Sequence, residues 1–178
     1  MVAAYFFDND DSVDFRQPHN SGKDVSLDHL AKLGVIYKHL PSQEEVDSLA
    51  EQRGYKNRDI MNLNAARFDN NEQLMVEKMK VFYKEHIHED EEIRYCMDGD
   101  GYFDIKDSVL DRWIRVRLDR YDLIIVPAGI FHRFAVTTNN YIKALRLFKD
   151  EPKWQAINKP EADQNPIRKS YLATLQTA

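Results

Sequence analysis

The spacing of apolar residues changes near residue 79, and the change divides the chain into two kinds of structure. Before it, apolar positions follow a helical period of about 3.6 residues; after it, they alternate with polar positions at a period of 2. We therefore expect residues 1–78 to be mixed and mostly helical and residues 79–149 to form a β core. Residues 150–178 contain three prolines and many polar side chains, and we expect them to form a tail over a single domain.

Start and stop signals for helices mark the N-terminal half. Residues 26–34 begin with a serine cap, carry apolar side chains at helical spacing and end with a glycine. Residues 42–54 open with a Ser-Gln-Glu-Glu capping box and end with a second glycine. Apolar residues at 74, 75, 79 and 82 predict one more helix, or a passage from helix to strand. Residues 2–7 predict a short edge strand.

Six short segments with strand-like patterns, separated by turns that contain Gly, Asp or Pro, follow in the second half of the chain. Asp98-Gly99-Asp100-Gly101 suits a tight hairpin, because Gly and Asp tolerate the positive φ that such turns require. Closely spaced antiparallel strands of this kind are typical of a barrel or jelly roll. The expected fold class is therefore mainly β: a jelly-roll β-barrel with N-terminal helices packed around it. The segments are residues 91–97, 102–105, 112–118, 123–126, 131–137 and 141–148.

Composition and charge exclude several classes of partner. The 178 residues include 25 Lys and Arg against 30 Asp and Glu, so a net charge of −5 gives no electrostatic reason to bind nucleic acid or an anionic membrane. No apolar run approaches the roughly 20 residues of a membrane helix. The first residues lack the features of a signal peptide. A single cysteine, Cys96, cannot form an internal disulfide, which favours a cytoplasmic location.

The chemistry of the chain is concentrated in three histidines and one glutamate. His86 and His88 are two residues apart, so on a strand both imidazoles point the same way. Glu92 can close a third side of the same site, and His132 can complete it from a neighbouring strand. Such a donor set suits Fe(II), Ni(II), Mn(II) or Zn(II), and in octahedral geometry it leaves two positions for water or substrate. The alternative for the histidine pair is a solvated position in an acidic loop.

The remaining candidates are weaker. His19, His29 and His39 lack matched spacing, and we expect all three at the surface. Cys96 is interpreted as a small buried hydrophobe. Arg94 shares the period of Glu92, so it is expected to face the same cavity, where an arginine needs an anion. That anion is either a substrate or, in the alternative interpretation, a neighbouring carboxylate.

Two motifs resemble those of the cupin superfamily. His86-Ile87-His88, followed by Glu92 and Gly99, resembles the first cupin motif, and residues 127–132 (Pro-Ala-Gly-Ile-Phe-His) resemble the second. The pattern departs at three positions, where Lys80 and Tyr121 stand for glycine and Val136 for asparagine. Within the superfamily the chain resembles the acireductone dioxygenase family of methionine salvage, in its eukaryotic form. The stretches that carry this likeness span nearly the whole chain: residues 3–5, 32–35, 84–95, 126–134 and 144–148.

This resemblance implies a cupin jelly-roll that cleaves 1,2-dihydroxy-5-(methylthio)pent-1-en-3-one with O2. The implied metal ligands are His86, His88, Glu92 and His132, holding one Fe(2+) or Ni(2+) per monomer. The iron form is expected to yield 4-methylthio-2-oxobutanoate and formate, and the nickel form methylthiopropanoate, formate and carbon monoxide. The implied location is the cytoplasm, with the nucleus as a second site.

Two further residues are expected to contact the enediolate substrate, Arg94 through its charge and Phe134 through its apolar ring. A divalent ion with one carboxylate carries about +1, and Arg94 adds another +1, which matches a dianion. Arg94 is therefore expected to act in catalysis by holding the substrate deprotonated and oriented. Phe134 lies two residues after His132 and is expected to line the apolar pocket for the methylthio group.

Two other functions remain open on the sequence. One is a cupin dioxygenase with another substrate, such as a thiol amino acid or an aromatic diol, which shares the metal site and differs in its pocket. The second is a non-catalytic cupin metal-binding protein or nuclear coregulator, which binds metal without consuming oxygen.

Overall fold

A computed structural model describes residues 2–152 and 155–176 of the chain. Most of the regular structure lies in short strands. These are β1 Ala4–Phe7, β2 Asn20–Asp24, β3 Ile36–His39, β4 Asn57–Leu63, β5 His86–Ile87, β6 Glu92–Gly99, β7 Gly101–Asp107, β8 Arg112–Leu118, β9 Asp122–Val126, β10 His132–Val136, β11 Ile142–Phe148 and β12 Ile157–Asn158. The helices are α1 Leu27–Lys32, α2 Gln43–Arg53, α3 Glu72–Tyr83, α4 Glu161–Gln164 and α5 Pro166–Leu175, with a 3₁₀ turn at Ala65–Phe68.

The strands form two antiparallel sheets. One has the order β12-β5-β10-β7-β8-β1-β2 and the other β3-β9-β6-β11-β4. Apolar side chains from both sheets belong to one buried core, in which Phe103 and Ile105 of the larger sheet meet Ile124 and Ala144 of the smaller one. The structure thus confirms the mainly β, jelly-roll class.

Alternation along β6 explains why the smaller sheet is buried on both sides. Ile93 and Tyr95 face outwards, where they join the apolar cluster formed with α2. Glu92, Arg94 and Cys96 face inwards and line a cavity between the sheets. The period of 2 predicted for this segment therefore separates an outer packing face from an inner face that carries polar groups.

The predicted helix signals are confirmed at both ends. The Ser26 hydroxyl accepts a hydrogen bond from the backbone N–H of His29, and Ser42 and Glu45 form the reciprocal capping box. Gly54 ends α2 with a φ of +71°, which a residue with a side chain rarely adopts.

The N-terminal part differs from the prediction, because residues 1–78 contribute strands to both sheets. β1 and β2 extend the larger sheet, and β3 and β4 form the two edges of the smaller one. β1 pairs with both β2 and β8, so it is not the edge strand that residues 2–7 predicted. Residue 79, taken as the boundary, lies inside α3. β2 is too short and polar to show alternation, and only its pairing with β1 makes it a strand.

Tyr121 has a φ of +77° at a position where the cupin pattern has glycine. Its backbone N–H donates a 2.7 Å hydrogen bond to the carbonyl of Cys96, and its ring packs against the α2 cluster. The left-handed turn of the motif is therefore retained without glycine, and packing offsets the steric cost of about 1–2 kcal/mol.

The tail after residue 150 has regular structure that the sequence did not predict. β12 pairs with β5, and the ring hydroxyl of Tyr171 in α5 donates a 3.0 Å hydrogen bond to the carbonyl of Leu33. Among the described residues, no helix combines the length and apolar character needed to cross a membrane.

A buried charge cluster ties the larger sheet together. The Arg115 guanidinium is fully buried on β8 and binds both carboxylate oxygens of Asp104 on β7, at 2.7 and 3.0 Å. Arg133 on β10 donates a third hydrogen bond to Asp104, at 2.8 Å. One carboxylate thus bridges three neighbouring strands.

Replacing Asp104 by Ala should be strongly destabilising, because it leaves Arg115 buried without a counter-charge. We expect a loss of about 3–5 kcal/mol in the free energy of unfolding, measured by urea denaturation. Asp47→Ala is the matched control, since its ion pair with Arg58 is at the surface. Equal midpoints for the two variants would contradict the structural role of the Asp104 cluster.

Candidate metal centre

Two strands of the larger sheet and one of the smaller bring the four candidate ligands together. His86 on β5 pairs directly with His132, the first residue of β10. His88 follows β5, and Glu92 begins β6 on the facing sheet. One potential ligand atom from each residue lies within 4.8 Å of all the others. Residues separated by up to 46 positions in sequence therefore converge on one point, as the spacing of the motifs predicted.

Glu92 is the centre of this group. Its Oε2 atom lies 2.6 Å from Nε2 of His132 and 3.4 Å from Nε2 of His88. The ring centroids of His86 and His132 are 4.4 Å apart, and those of His86 and His88 are 5.0 Å apart.

Each histidine is oriented by a backbone carbonyl on the side away from the centre. In all three rings Nδ1 lies within hydrogen-bond distance of that oxygen, so Nδ1 carries the proton in the neutral ring and Nε2 keeps its lone pair. The acceptors are the carbonyls of Lys84 for His86 (2.8 Å), Gln155 for His88 (2.8 Å) and Ile130 for His132 (3.0 Å).

The electrostatics favour the ligand forms of these side chains. Burial, together with the neighbouring His132, lowers the pKa of His86 to about 4. Burial also lowers the pKa of His88. For Glu92, burial opposes ionisation, but Arg94 and His132 outweigh it and hold the pKa well below its usual value. At neutral pH the site therefore offers neutral imidazoles at His86 and His88 and an ionised carboxylate at Glu92.

Two buried atoms at the centre fit a cation. Within the described residues, Glu92 Oε2 and His132 Nε2 have no hydrogen-bond partner although both are buried. With the His132 proton on Nδ1, these are two acceptor atoms only 2.6 Å apart. A metal ion between the donors satisfies both lone pairs, and the nitrogen and oxygen donors suit a divalent first-row metal.

Arg94 lies on the inner face of β6 beside the centre, as predicted. Its Nη2 lies 2.7 Å from Oε1 of Glu92, and its Nη1 donates a 3.1 Å hydrogen bond to the carbonyl of Ile93. The neighbouring carboxylate that the sequence left as an alternative partner is thus Glu92 itself. Arg94 also lines the cavity, so the ion pair and a contact with substrate are compatible.

The centre opens into a cavity of about 200 Å³ between the sheets. Its apolar wall includes Phe134, as predicted, together with residues from both sheets: Met61, Phe103, Leu118, Ile142 and Ala144. Cys96 is buried, as predicted, and lies on the same wall.

Sequence reasoning missed Arg146, which also lines the cavity. Arg146 on β11 stands directly opposite Arg94 on β6 and forms two 2.6 Å hydrogen bonds to Asp59 on β4. Alternation within β11 assigns Arg146 to the inner face, and that signal could have identified it.

The other three histidines lie away from the centre, but His19 is not at the surface. Only 4% of it is exposed, its ring stacks on Phe7, and its Nδ1 lies 2.8 Å from Asp8. The loop between β1 and β2 folds back over Phe7, and no periodicity in a loop predicts such a return. His29 is partly exposed beside Asp107, and His39 is exposed beside Asp122.

Stacked antiparallel sheets with three inward histidines and one inward glutamate define a cupin-type metal-binding protein. The sequence model of the ARD/ARD' family matches residues 3–156. The acireductone dioxygenase of Saccharomyces cerevisiae is 55% identical over 98% of each chain. That of Emericella nidulans is 53% identical over 98% of this chain and 96% of its own. The chain belongs to the ARD/ARD' family.

A solved structure supports the fold independently. The acireductone dioxygenase from Bacillus anthracis, with a cadmium ion in its active centre, is 22% identical in sequence. It superposes with a TM-score of 0.67 over 88% of this chain and 98% of its own. The likeness confirms the cupin-type architecture predicted from the motifs.

Replacing any one of His86, His88, Glu92 or His132 by Ala should sharply lower metal occupancy, because all four donors face one point. Elemental analysis of the purified variants measures this. His29→Ala and His39→Ala should keep the wild-type metal content. His19→Ala should also keep it, with a lower melting temperature because its ring is buried. Full metal content in His132→Ala would show that the second motif is misplaced.

Proposed function

We propose that this protein cleaves the acireductone 1,2-dihydroxy-5-(methylthio)pent-1-en-3-one with O2, as a step of methionine salvage. The observation that carries the proposal is the cluster of three histidines and one glutamate at the end of an apolar cavity. Membership of the ARD/ARD' family and relatives named acireductone dioxygenase over nearly the full chain support the same substrate.

The cofactor we propose is one Fe(2+) or Ni(2+) per chain, held by His86, His88, Glu92 and His132. When bound, the ion supplies Lewis acidity and open coordination positions to an enediolate. The chain's own contribution is to present three unprotonated Nε2 atoms and one ionised carboxylate inside a buried site. We propose that iron directs the reaction to 4-methylthio-2-oxobutanoate and formate, and nickel to methylthiopropanoate, formate and carbon monoxide.

Arg94 is assigned to hold the anionic substrate. Within the described residues, its donor contacts go to Glu92 and to the carbonyl of Ile93. A guanidinium has five N–H donors, so further donors remain for the oxygens of an enediolate. Arg94 thereby stabilises the deprotonated form of the substrate and orients it.

The apolar wall is assigned to the methylthio tail. The rings of Phe103 and Phe134 lie 5.3 Å apart and are both buried, so they offer a preformed apolar surface beside His132. A short thioether chain gains about 0.8 kcal/mol for each CH₂ it buries there. The same wall keeps water away from the reacting end of the substrate.

We propose a monomer located in the cytoplasm, since each chain brings all four ligands and carries a single, buried cysteine. The net charge of −5 supports the absence of nucleic-acid and membrane partners. A second, nuclear location rests on the family resemblance alone.

Reconstitution of the metal-free protein tests the proposal. Protein loaded with Fe(2+) should consume O2 with acireductone and release formate and the oxo acid, and protein loaded with Ni(2+) should release carbon monoxide. Oxygen uptake and product chromatography measure these outcomes. A protein that binds either metal and consumes no oxygen would instead be a non-catalytic metal-binding protein, and uptake with another substrate would indicate a different cupin dioxygenase.

Arg94→Ala should lower kcat/KM by about one to two decades, because a charge-assisted hydrogen bond in a desolvated site contributes about 1.5–3 kcal/mol. Arg94→Lys should recover part of the loss, since a point charge replaces a two-pronged contact. The loss should shrink at higher pH, where more of the free substrate is already deprotonated.

Metal must be saturating in this assay. Arg94 contacts a ligand, and the loss of such a contact lowers metal affinity by about 10–100-fold. Arg58→Ala is a matched control, because Arg58 pairs with Asp47 at the surface. Wild-type kinetics for metal-saturated Arg94→Ala at every pH would remove Arg94 from the reaction.

A further inference from the structure

The metal centre is contacted by a part of the chain that follows the last residue matched by the family model. The match ends at residue 156. Beyond it, Ile157 and Asn158 pair with Ile87 and His86, and the Asn158 amide donates a 2.9 Å hydrogen bond to the carbonyl of Glu85. The C-terminal segment thus forms the edge of the sheet at the first histidine motif.

Arg168 in α5 contacts the turn that precedes His132. Its Nη1 donates a 3.1 Å hydrogen bond to the carbonyl of Gly129, and its Nη2 donates a 2.9 Å hydrogen bond to the hydroxyl of Ser108. Its guanidinium lies 4.6 Å from the centre of the Phe131 ring.

The position of Arg168 is costly for a charged side chain. Only 7% of Arg168 is exposed, and no carboxylate in residues 2–152 or 155–176 forms an ion pair with it. Burying a guanidinium without an ion pair carries a large desolvation cost, which neutral acceptors and a ring offset only in part. The hydrogen bonds of Arg168 to Gly129 and Ser108 are therefore contacts that an apolar side chain could not make.

Gly129, the partner of Arg168, lies in the second histidine motif, three residues before His132. Its backbone N–H donates a 3.0 Å hydrogen bond to the carbonyl of His88. The next carbonyl along the chain, that of Ile130, orients the ring of His132. One turn thus contacts His88 and positions His132.

The space around Gly129 is closed by α5. The φ of Gly129 is +80°, and a Cβ atom on Gly129 would lie 2.6 Å from the carbonyl oxygen of Ile167. The turn is therefore confined between the end of the first motif on one side and the first residues of α5 on the other, with Arg168 bonded across that contact.

We propose that Arg168 is a positioning residue for the metal centre. By binding the Gly129 carbonyl, it holds the 127–129 turn against His88 and so sets the distance between the ligands of the first and second motifs. The inference rests on metal binding at the four ligands, as proposed above, and does not depend on the reaction catalysed.

Cobalt(II) bound to the full-length protein is the probe. Residues that orient metal ligands contribute about 10–100-fold to metal affinity. With that loss falling on dissociation, Arg168→Ala should release Co(2+) to excess chelator faster than wild type by about the same factor. Its visible spectrum should shift, because the geometry of the ligands changes. Arg168→Lys should release Co(2+) at an intermediate rate, since its ammonium can reach one acceptor.

Tyr171→Phe is the matched control in the same helix. It removes the buried hydrogen bond to the Leu33 carbonyl but keeps the ring of residue 171, so the bond of Arg168 to Gly129 stays in place. It should lower the melting temperature of the metal-free protein and leave both the cobalt spectrum and the release rate as in wild type. If Arg168→Ala does not fold, Arg168→Lys is compared with Tyr171→Phe, and faster release from the lysine variant supports the proposal.

Two outcomes are distinguished from each other. If the Arg168 variants release Co(2+) at the wild-type rate, the positioning role alone is overturned. It is also overturned if release speeds up in Tyr171→Phe as much as in the Arg168 variants for the same fall in melting temperature. Wild-type protein that binds no Co(2+) overturns the metal centre, and with it the proposed function.

Discussion

A buried negative charge, the carboxylate of Glu92, is the constraint on which the rest of the site depends. An ionised carboxylate away from water requires compensation by opposite charge and hydrogen-bond donors. Arg94 supplies one counter-charge from the same strand, and the lone pair on His132 facing Glu92 calls for a cation between them. Glu92 lies on the smaller sheet and His132 on the larger, so satisfying this one charge also fixes how the two sheets face each other.

The same principle explains the two arginines in the cavity. Arg94 and Arg146 stand directly opposite each other on neighbouring strands, an arrangement that is unfavourable for like charges. Each is accompanied by a carboxylate: Glu92 lies two residues before Arg94 on the same strand, and Asp59 stands opposite Arg146 on β4. The paired carboxylates thus offset the repulsion between two arginines that line one cavity beside the metal centre.

The sequence predicted those features of the structure that follow a period or a fixed spacing along the chain. Strand alternation identified the inner face of β6, and the spacing of the four ligands identified the centre, because both follow from local geometry. The carbonyls of Lys84, Gln155 and Ile130 that orient the histidines carry no sequence signal, since every residue has one. The contact of Arg168 with Gly129 and the burial of His19 depend on how distant segments pack, and no local pattern contains that information.

The ligand set also bears on metal choice. Three imidazoles and a carboxylate offer no thiolate and suit several divalent ions, so affinity for such a site follows the general order in which Ni(2+) binds more tightly than Fe(2+). The backbone carbonyls that orient the rings also favour no particular metal ion. For a site with these donors, discrimination between divalent metals rests on the supply of each metal and on the precision of the geometry. Because Glu92 begins a strand of the smaller sheet while His86 and His132 lie on paired strands of the larger one, that precision depends on how the two sheets pack and not on the four side chains alone.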